Sequence, residues 1–288
     1  MNILVTGSKG QLGSEIKELS SNYPYNFFFT DVNTLDITKK ENIYHYLKEN
    51  DIDVIINCAA YTAVDKAEEN QELADKINHK ALIYLANTAK EKNISLIHIS
   101  TDYVFDGKNY KPYIEEDEVN PQSVYGLTKL KGEEAFKQSG ANGIIIRTSW
   151  VYSSYGHNFV KTMLRLKDKG ELRVVFDQIG TPTYAKDLAN TILQIIHTNL
   201  EKVKSKKAEI YHYSNEGVIS WYDFAKAIFE IENIDIKVHP IETKEYPTPA
   251  KRPYYSVLNK KKIKKEFNIE IPYWRASLKE CLQRIPNE

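Results

Sequence analysis

The stretch that decides the fold is Ile3-Leu4-Val5-Thr6-Gly7-Ser8-Lys9-Gly10-Gln11-Leu12-Gly13, completed by Asp31 further on. A short β-branched and leucine run passes directly into a glycine-rich turn, and Leu12–Ser20 beyond it has apolar residues at helical spacing. Glycines in such a turn let backbone N–H groups approach a pyrophosphate, which sits at the positive end of the following helix. Gly7, Gly10 and Gly13 are spaced G-x-x-G-x-x-G, not the G-x-G-x-x-G of the standard dinucleotide fingerprint. Asp31 follows Gly13 by eighteen residues. That is close to the offset of roughly 20 at which an acid accepts hydrogen bonds from the adenosine ribose hydroxyls. An acid there disfavours a 2′-phosphate, so these residues by themselves lean towards NADH over NADPH. Asp36 and Ile37 offer a polar and an apolar group to flank the adenine.

Outward from this stretch, strands are predicted over Ile3–Thr6, Asn26–Asp31, Val54–Cys58, Ser95–Ser100 and Gly143–Thr148. Helices are predicted over Leu12–Ser20, Lys39–Asn50, Gln71–Lys92 and Ser123–Gln138. Strand runs without polar alternation, each followed by a helix, imply an α/β fold: a Rossmann-type doubly wound parallel sheet covered on both faces. The alternation loosens after Thr148, and Pro182, Pro240, Pro247, Pro249 and Pro253 punctuate the remainder. The expectation is an NAD(P)-binding domain over 1–150, to which later segments can return, and a smaller, mainly substrate-binding domain over 151–288.

The 288 residues carry 39 Lys+Arg and 39 Asp+Glu, and 42% are hydrophobic. The chain is too apolar for disorder, and zero net charge argues against coating nucleic acid or an anionic membrane. Cys58 and Cys281 are the two cysteines and have no metal-like spacing, which points to a reducing cytoplasm. No signal peptide is expected, nor any apolar run near the roughly 18 residues of a membrane helix.

Ligands in such sheets bind beyond the carboxyl ends of the strands. The third strand ends in Asn57-Cys58-Ala59-Ala60-Tyr61, where small Ala59 and Ala60 would let a cofactor lie against backbone. The fourth ends in Ser100-Thr101-Asp102-Tyr103-Val104-Phe105, and Tyr125 and Lys129 follow at i and i+4 on one helix face. A neighbouring ammonium favours a phenolate, bringing a phenol of pKa near 10 closer to acid–base work. Thr101 can polarise a substrate carbonyl. With 20 tyrosines, a Y-x-x-x-K pair alone also arises by chance. The glycine turn, Asp31 and Thr101 give the pair its meaning. No histidine cluster suggests a metal, and no G-x-S-x-G elbow suggests hydrolysis. Trp150, beyond the fifth strand, suits stacking on a sugar or base; Arg252 suits a diphosphate or a surface salt bridge.

Gly7, Gly10, Gly13, Thr101 and Tyr125-x-x-x-Lys129 resemble the extended short-chain dehydrogenase/reductases. The segments Ala59 to Glu68, Ser100 to Gly107, Arg147 to Tyr152, Gly180 to Tyr184 and Arg252-Pro253 resemble its members that reduce a dTDP-linked 4-keto-6-deoxy sugar. The resemblance implies NADH or NADPH as hydride donor, Tyr125 as proton donor to the C4 oxygen, and Lys129 holding the nicotinamide ribose. It implies a cofactor lining of Gly10, Gln11, Leu12, Asp31, Asp36, Ile37, Ala59, Ala60 and Tyr61. Thr101, Asp102, Val104, Phe105 and Trp150 would face the nucleotide sugar. Some of these enzymes dimerise through magnesium held by glutamates. Glu15 is present here, but Lys186-Asp187 stands where they carry Glu-Asp, so magnesium is not expected and a monomer or weak homodimer is. Two alternatives stay open: a regulatory NADP(H)-binding subunit like the methionine adenosyltransferase beta subunit, and a reductase or epimerase of another nucleotide sugar.

Overall fold

In the computed structural model, which describes residues 1–286, the expected alternation appears as β1 (Asn2–Thr6), α1 (Gln11–Leu19), β2 (Asn26–Phe29), α2 (Lys40–Glu49) and β3 (Val54–Asn57). It continues through α3 (Val64–Glu69), α4 (Gln71–Asp75), α5 (Ala81–Glu91), β4 (Ser95–Thr101), α6 (Val124–Ser139) and β5 (Gly143–Thr148). The predicted helix over Gln71–Lys92 is interrupted: Lys76–Lys80 between α4 and α5 is a π-helical turn.

The second half contains β6 (Val151–Tyr152), α7 (Phe159–Arg165), β7 (Glu171–Val175), β8 (Ile179–Gly180), β9 (Thr183–Tyr184) and α8 (Ala185–Ser205). After these come β10 (Glu209–His212), β11 (Ile219–Ser220), α9 (Trp221–Ile231), β12 (Lys237–Ile241), α10 (Lys261–Phe267) and α11 (Trp274–Arg284).

Six strands form one parallel sheet in the order β10-β5-β4-β3-β1-β2, so the winding direction reverses between β1 and β3. Successive residues of each strand point to opposite faces. Ile3, Val5, Ile56, Ile97, Ile144 and Ile146 meet α1 and α8 on one side. Leu4, Ile55, Leu96 and Ile145 meet α2, α5 and α6 on the other. Residues 185–212 thus return to the sheet from the second half, α8 covering a face and β10 extending an edge. A separate core, with Tyr152, Met163, Tyr184, Phe224, Ile228, Trp274 and Leu278, holds the second lobe together.

The helix that would carry the chemistry is held at both ends. Ser123 accepts a hydrogen bond from the Gly126 N–H at 3.2 Å as N-cap, and Gly140, at φ 66°, closes the C-terminus in the left-handed conformation. Gly126 lets α6 lie against Tyr103, whose carbonyl would be 2.2 Å from an added Cβ. This fixes the start of α6 over the end of β4.

Candidate active site

The turn after β1 is shaped for a ligand approaching the backbone. Gly7 sits at φ 65°, and a Cβ on it would lie 2.7 Å from the Ala59 backbone; one on Gly13 would lie 2.5 Å from the Gly7 carbonyl. Gly10 is the N-cap of α1 and supplies no side-chain cap, and the first turn holds no acid. Unsatisfied N–H groups and the positive end of the helix dipole therefore face the site, an arrangement that fits a pyrophosphate.

Asp31 stands just beyond β2 and accepts from the Asn33 N–H at 2.9 Å and the Thr34 N–H at 3.3 Å. It also pairs with Lys9 from the glycine turn, and that hydrogen bond is the main reason its carboxyl is held below the ordinary range. A cation beside Asp31 offsets the repulsion of a 2′-phosphate, so the lean towards NADH drawn from Asp31 alone loses its physical basis. Asp36 is bound to the Thr38 N–H and hydroxyl at 3.0 and 2.6 Å. Ile37 is buried, while Gln11, Ala59, Ala60 and Tyr61 remain partly open.

Thr101 ends β4; its hydroxyl donates to Asp102 Oδ1 at 2.9 Å and accepts from the Tyr103 N–H at 3.2 Å. Tyr125, in the first turn of α6, packs edge-on against Tyr103 with ring centroids 5.4 Å apart. Burial pushes the Tyr125 phenol up to about 12; the Thr101 hydroxyl opposes this and the Asp102 charge adds to it. The expectation that Lys129 lowers the Tyr125 pKa is therefore not met here. Lys129 Nζ is engaged elsewhere, donating to the Ile99 carbonyl at 2.6 Å and lying 3.2 Å from His98 Nε2. Burial pulls Lys129 down to about 8 against the opposing charge of Glu133.

Asp102 is buried, and its Oδ2 has no hydrogen-bond partner among the described residues. Desolvation lifts its pKa to about 7, against the hydrogen bond from Thr101. One turn beyond Lys129, buried Glu133 takes Arg147 bidentately at 2.9 and 2.6 Å and also accepts from Ser100 Oγ. This ties α6, β5 and the end of β4 into one rigid corner.

The remaining expected substrate residues divide. Arg252 donates to Asp65 Oδ2 at 2.7 Å, while its Nη1 is buried with no partner among the described residues, and its charge lies beside the Tyr103 phenol. It is thus a salt-bridged arginine with a donor to spare. Trp150 has a strained left-handed backbone, φ 49°, and its ring stacks on Trp221 at 3.6 Å, so that face is closed to a sugar in this arrangement. Val104 and Phe105 are not brought to an open surface. Phe105 stacks at 4.2 Å on Tyr113 from the following loop, beneath the Arg147 guanidinium, and Leu258 from far along the chain closes the same cluster.

The sequence reading missed several participants. Asn78, on the π-helical turn, accepts from the Tyr61 N–H at 2.8 Å and donates to the Tyr61 carbonyl and to Thr128, clamping the Ala59–Tyr61 loop to α6. Nothing in its sequence context marks it. Glu133 and Trp221 also lack a local signal. His98 does have one, as a polar residue inside the apolar run Leu96–Ile99. Glu15 is fully buried and bound by Ser153 at 2.6 Å and Arg284 at 3.0 Å, and Lys186 pairs with Glu280 at 2.7 Å. Among the described residues no group of three His, Cys, Asp or Glu is placed to hold a metal ion.

Known proteins resemble this chain along its whole length. The family model described as RmlD substrate binding domain matches residues 1–286. A dTDP-4-dehydrorhamnose reductase of Aggregatibacter actinomycetemcomitans is 43% identical over 289 residues, covering 96% of this chain and 97% of its own. The solved structure of a dTDP-4-dehydrorhamnose reductase from Clostridium acetobutylicum aligns with a TM-score of 0.92 at 45% identity, covering 98% and 99% of the two chains. That of the Bacillus anthracis dTDP-4-dehydrorhamnose reductase, in complex with NADP, aligns with a TM-score of 0.92 at 37% identity and 98% coverage of each. Matched from end to end by the family model and by these reductases, the chain belongs to the RmlD substrate-binding-domain family.

Proposed function

We propose that the chain reduces the C4 ketone of dTDP-4-dehydro-β-L-rhamnose, with NADH or NADPH as donor, to give dTDP-β-L-rhamnose. The observation that carries this reading is that Thr101 ends β4 under the start of α6, where Gly126 packs on the Tyr103 carbonyl and the helix carries Tyr125 and, one turn on, the buried Lys129, while the uncapped α1 follows β1 of the same sheet. A reduced nicotinamide, when bound, supplies the hydride. The chain's own residues then do the following. The N-terminus of α1 with Gly7, Gly10, Gln11, Leu12 and Gly13 meets the pyrophosphate; Asp31, Asp36 and Ile37 flank the adenosine; Ala59, Ala60 and Tyr61 lie along the middle of the dinucleotide. Lys129 holds the nicotinamide ribose. Thr101 donates a hydrogen bond to the substrate carbonyl, and Tyr125 gives its proton to the C4 oxygen. A phenol pushed up to about 12 is protonated at neutral pH, the state a proton donor requires.

Asp102 and Trp150 are assigned to the sugar and Arg252 to the diphosphate, through its free Nη1. Val104 and Phe105 act from behind, setting the position of Asp102. Residues 1–150 with the returning α8 and β10 form the coenzyme-binding domain, and most of the remainder the substrate-binding one. The Glu15–Arg284 and Lys186–Glu280 pairs favour a monomer without magnesium. Two free cysteines suit the cytoplasm, and no helix among the described residues is long and apolar enough to cross a membrane. A complete Thr101, Tyr125 and Lys129 set favours an enzyme over a regulatory subunit.

The test is loss of NAD(P)H absorbance with the dTDP-4-keto sugar present. Tyr125→Phe is expected to lower kcat by at least ~10²-fold while coenzyme still binds. No oxidation of either coenzyme by the wild-type chain would overturn the reading.

A further inference from the structure

Three polar side chains cross the centre of the sheet in a single row. Thr6 on β1, Asn57 on β3 and His98 on β4 are in register with one another on adjacent strands, and each is buried. Their neighbours on the same face two residues back, Leu4, Ile55 and Leu96, are all apolar. Polar groups in such a layer are costly unless hydrogen-bonded. These are bonded continuously: Thr6 Oγ1 to Asn57 Oδ1 at 2.6 Å, Asn57 Nδ2 to His98 Nδ1 at 3.0 Å, and His98 Nε2 to Lys129 Nζ at 3.2 Å. The row therefore begins next to Gly7 of the glycine turn and ends on Lys129.

We propose that His98 is a positioning residue for Lys129, and that the Thr6–Asn57–His98 row holds the Lys129 nitrogen in both of its protonation states by reversing the direction of its hydrogen bonds. This rests on the role given to Lys129 in the proposed reaction. Neutral imidazole has one donor and one acceptor nitrogen, and the Asn amide presents either its oxygen or its nitrogen. With Lys129 as free amine, Thr6 O–H donates to Asn57 Oδ1, the Asn57 amide N–H to His98 Nδ1, and His98 Nε2–H to the amine. With Lys129 as ammonium, Nζ donates to His98 Nε2, His98 Nδ1–H to the turned-over Asn57 oxygen, and the Asn57 amide N–H to Thr6 Oγ1. Each of the three contacts keeps one donor and one acceptor in either direction.

The imidazole stays neutral, since burial and the nearby Lys129 charge keep its pKa well below the ordinary value. The other groups facing Lys129 are held by their own surroundings. Glu133 on α6 is taken bidentately by Arg147 on β5, and the Cys58 thiol beyond β3 is pushed up to about 12 and remains neutral. Tyr125, one turn before Lys129, is a neutral phenol. His98 is thus the contact through which the ammonium can be tuned.

A hydrogen bond to a charged donor is roughly twice as strong as a neutral one, so loss of His98 harms the ammonium more than the amine. The test uses the full chain with 15Nζ-labelled lysine, following Lys129 by NMR against pH, with NADPH affinity measured by fluorescence in parallel. In His98→Leu the Lys129 midpoint should fall by ~0.5 to 1 pH unit below the wild-type value, and NADPH binding at pH 8 should weaken ~3- to 10-fold. His98→Gln should recover at least half of both changes, and Thr6→Val should move the midpoint the same way by less. If His98→Leu does not fold, His98→Gln and Thr6→Val decide, since a structural role alone moves stability and leaves the midpoint in place. A wild-type midpoint in all folded variants would overturn the proposal. Neither readout needs turnover, so a wild-type chain that fails to reduce the dTDP-4-keto sugar would refute the substrate reading while leaving the lysine titration to judge His98.

Discussion

Replacing Asp102 by Asn should make the protein more stable at alkaline pH while impairing the site. The Asp102 carboxyl is buried beside Thr101, and desolvation lifts its pKa from 3.8 to about 7. Between these values the folded state binds a proton that the unfolded state releases. Stability contributed by this group is therefore greatest in acid, falls as pH rises, and is flat above the folded pKa. At 1.36 kcal/mol per pKa unit, the lift corresponds to about 4 kcal/mol of destabilisation at pH 8. Asn carries no charge to desolvate, so the stability difference between Asp102→Asn and wild type should widen by about 3 kcal/mol from pH 5 to pH 8. For a chain of this size that is ~6 °C in Tm. The difference itself starts near or below zero at pH 5, because the amide nitrogen inherits the unpartnered position of Oδ2. Differential scanning fluorimetry of the two proteins in matched buffers reads this directly. A Tm difference that stays constant from pH 5 to 8 would refute the reasoning, because it would mean that Asp102 ionises in the fold as it does in water.

Other perturbations follow from single contacts. Gly7→Ala places a Cβ 2.7 Å from the Ala59 backbone at a positive φ, and should weaken NADPH binding at least ~10-fold in a fluorescence titration and cost ~1–3 kcal/mol of stability. Glu133→Gln leaves the buried Arg147 cation uncompensated and should cost ~3–5 kcal/mol, read as a lower urea midpoint; an unchanged midpoint would show that the corner does not depend on the pair. EDTA should leave sedimentation mass and activity unchanged, because Arg284 neutralises Glu15 within the chain; dissociation of a dimer by the chelator would contradict this.

The first half of the fold was legible because burial on both faces demands uninterrupted Ile, Leu and Val runs, and these stand out against the polar turns between them. β2 is the exception in length: the expected strand to Asp31 is assigned only to Phe29, although the Thr30 N–H still bonds the Val5 carbonyl. β10 was not read because four residues at a sheet edge, Glu209–His212, carry too little pattern. In the site, Tyr125 and Lys129 could be paired from helical spacing, since both lie on α6. The direction taken by Lys129 could not, because His98 comes from another strand and reaches it only across the sheet register. The same limit applies to Trp150, whose partner Trp221 belongs to α9, and to Phe105, whose covering ring Tyr113 lies on a loop without periodicity. The reading failed where a side chain's neighbour is set by topology rather than by its own element.

The return of α8, β10 and α10 to the first sheet bears on how the chain can be made. Leu188, Ile192, Ile195, Ile196, Tyr211, Ile263 and Phe267 share one core with Ile3, Val5, Ile16 and Ile56. Until Phe267 has left the ribosome, that face of the sheet has no complete cover. The first half of the chain cannot mature while the rest is still being synthesised, and a truncation near residue 150 exposes the isoleucines of β1, β3, β4 and β5 to water. The order of domains along the gene is therefore not the order in which they can close, and the final quarter of the chain acts as the latch on the first.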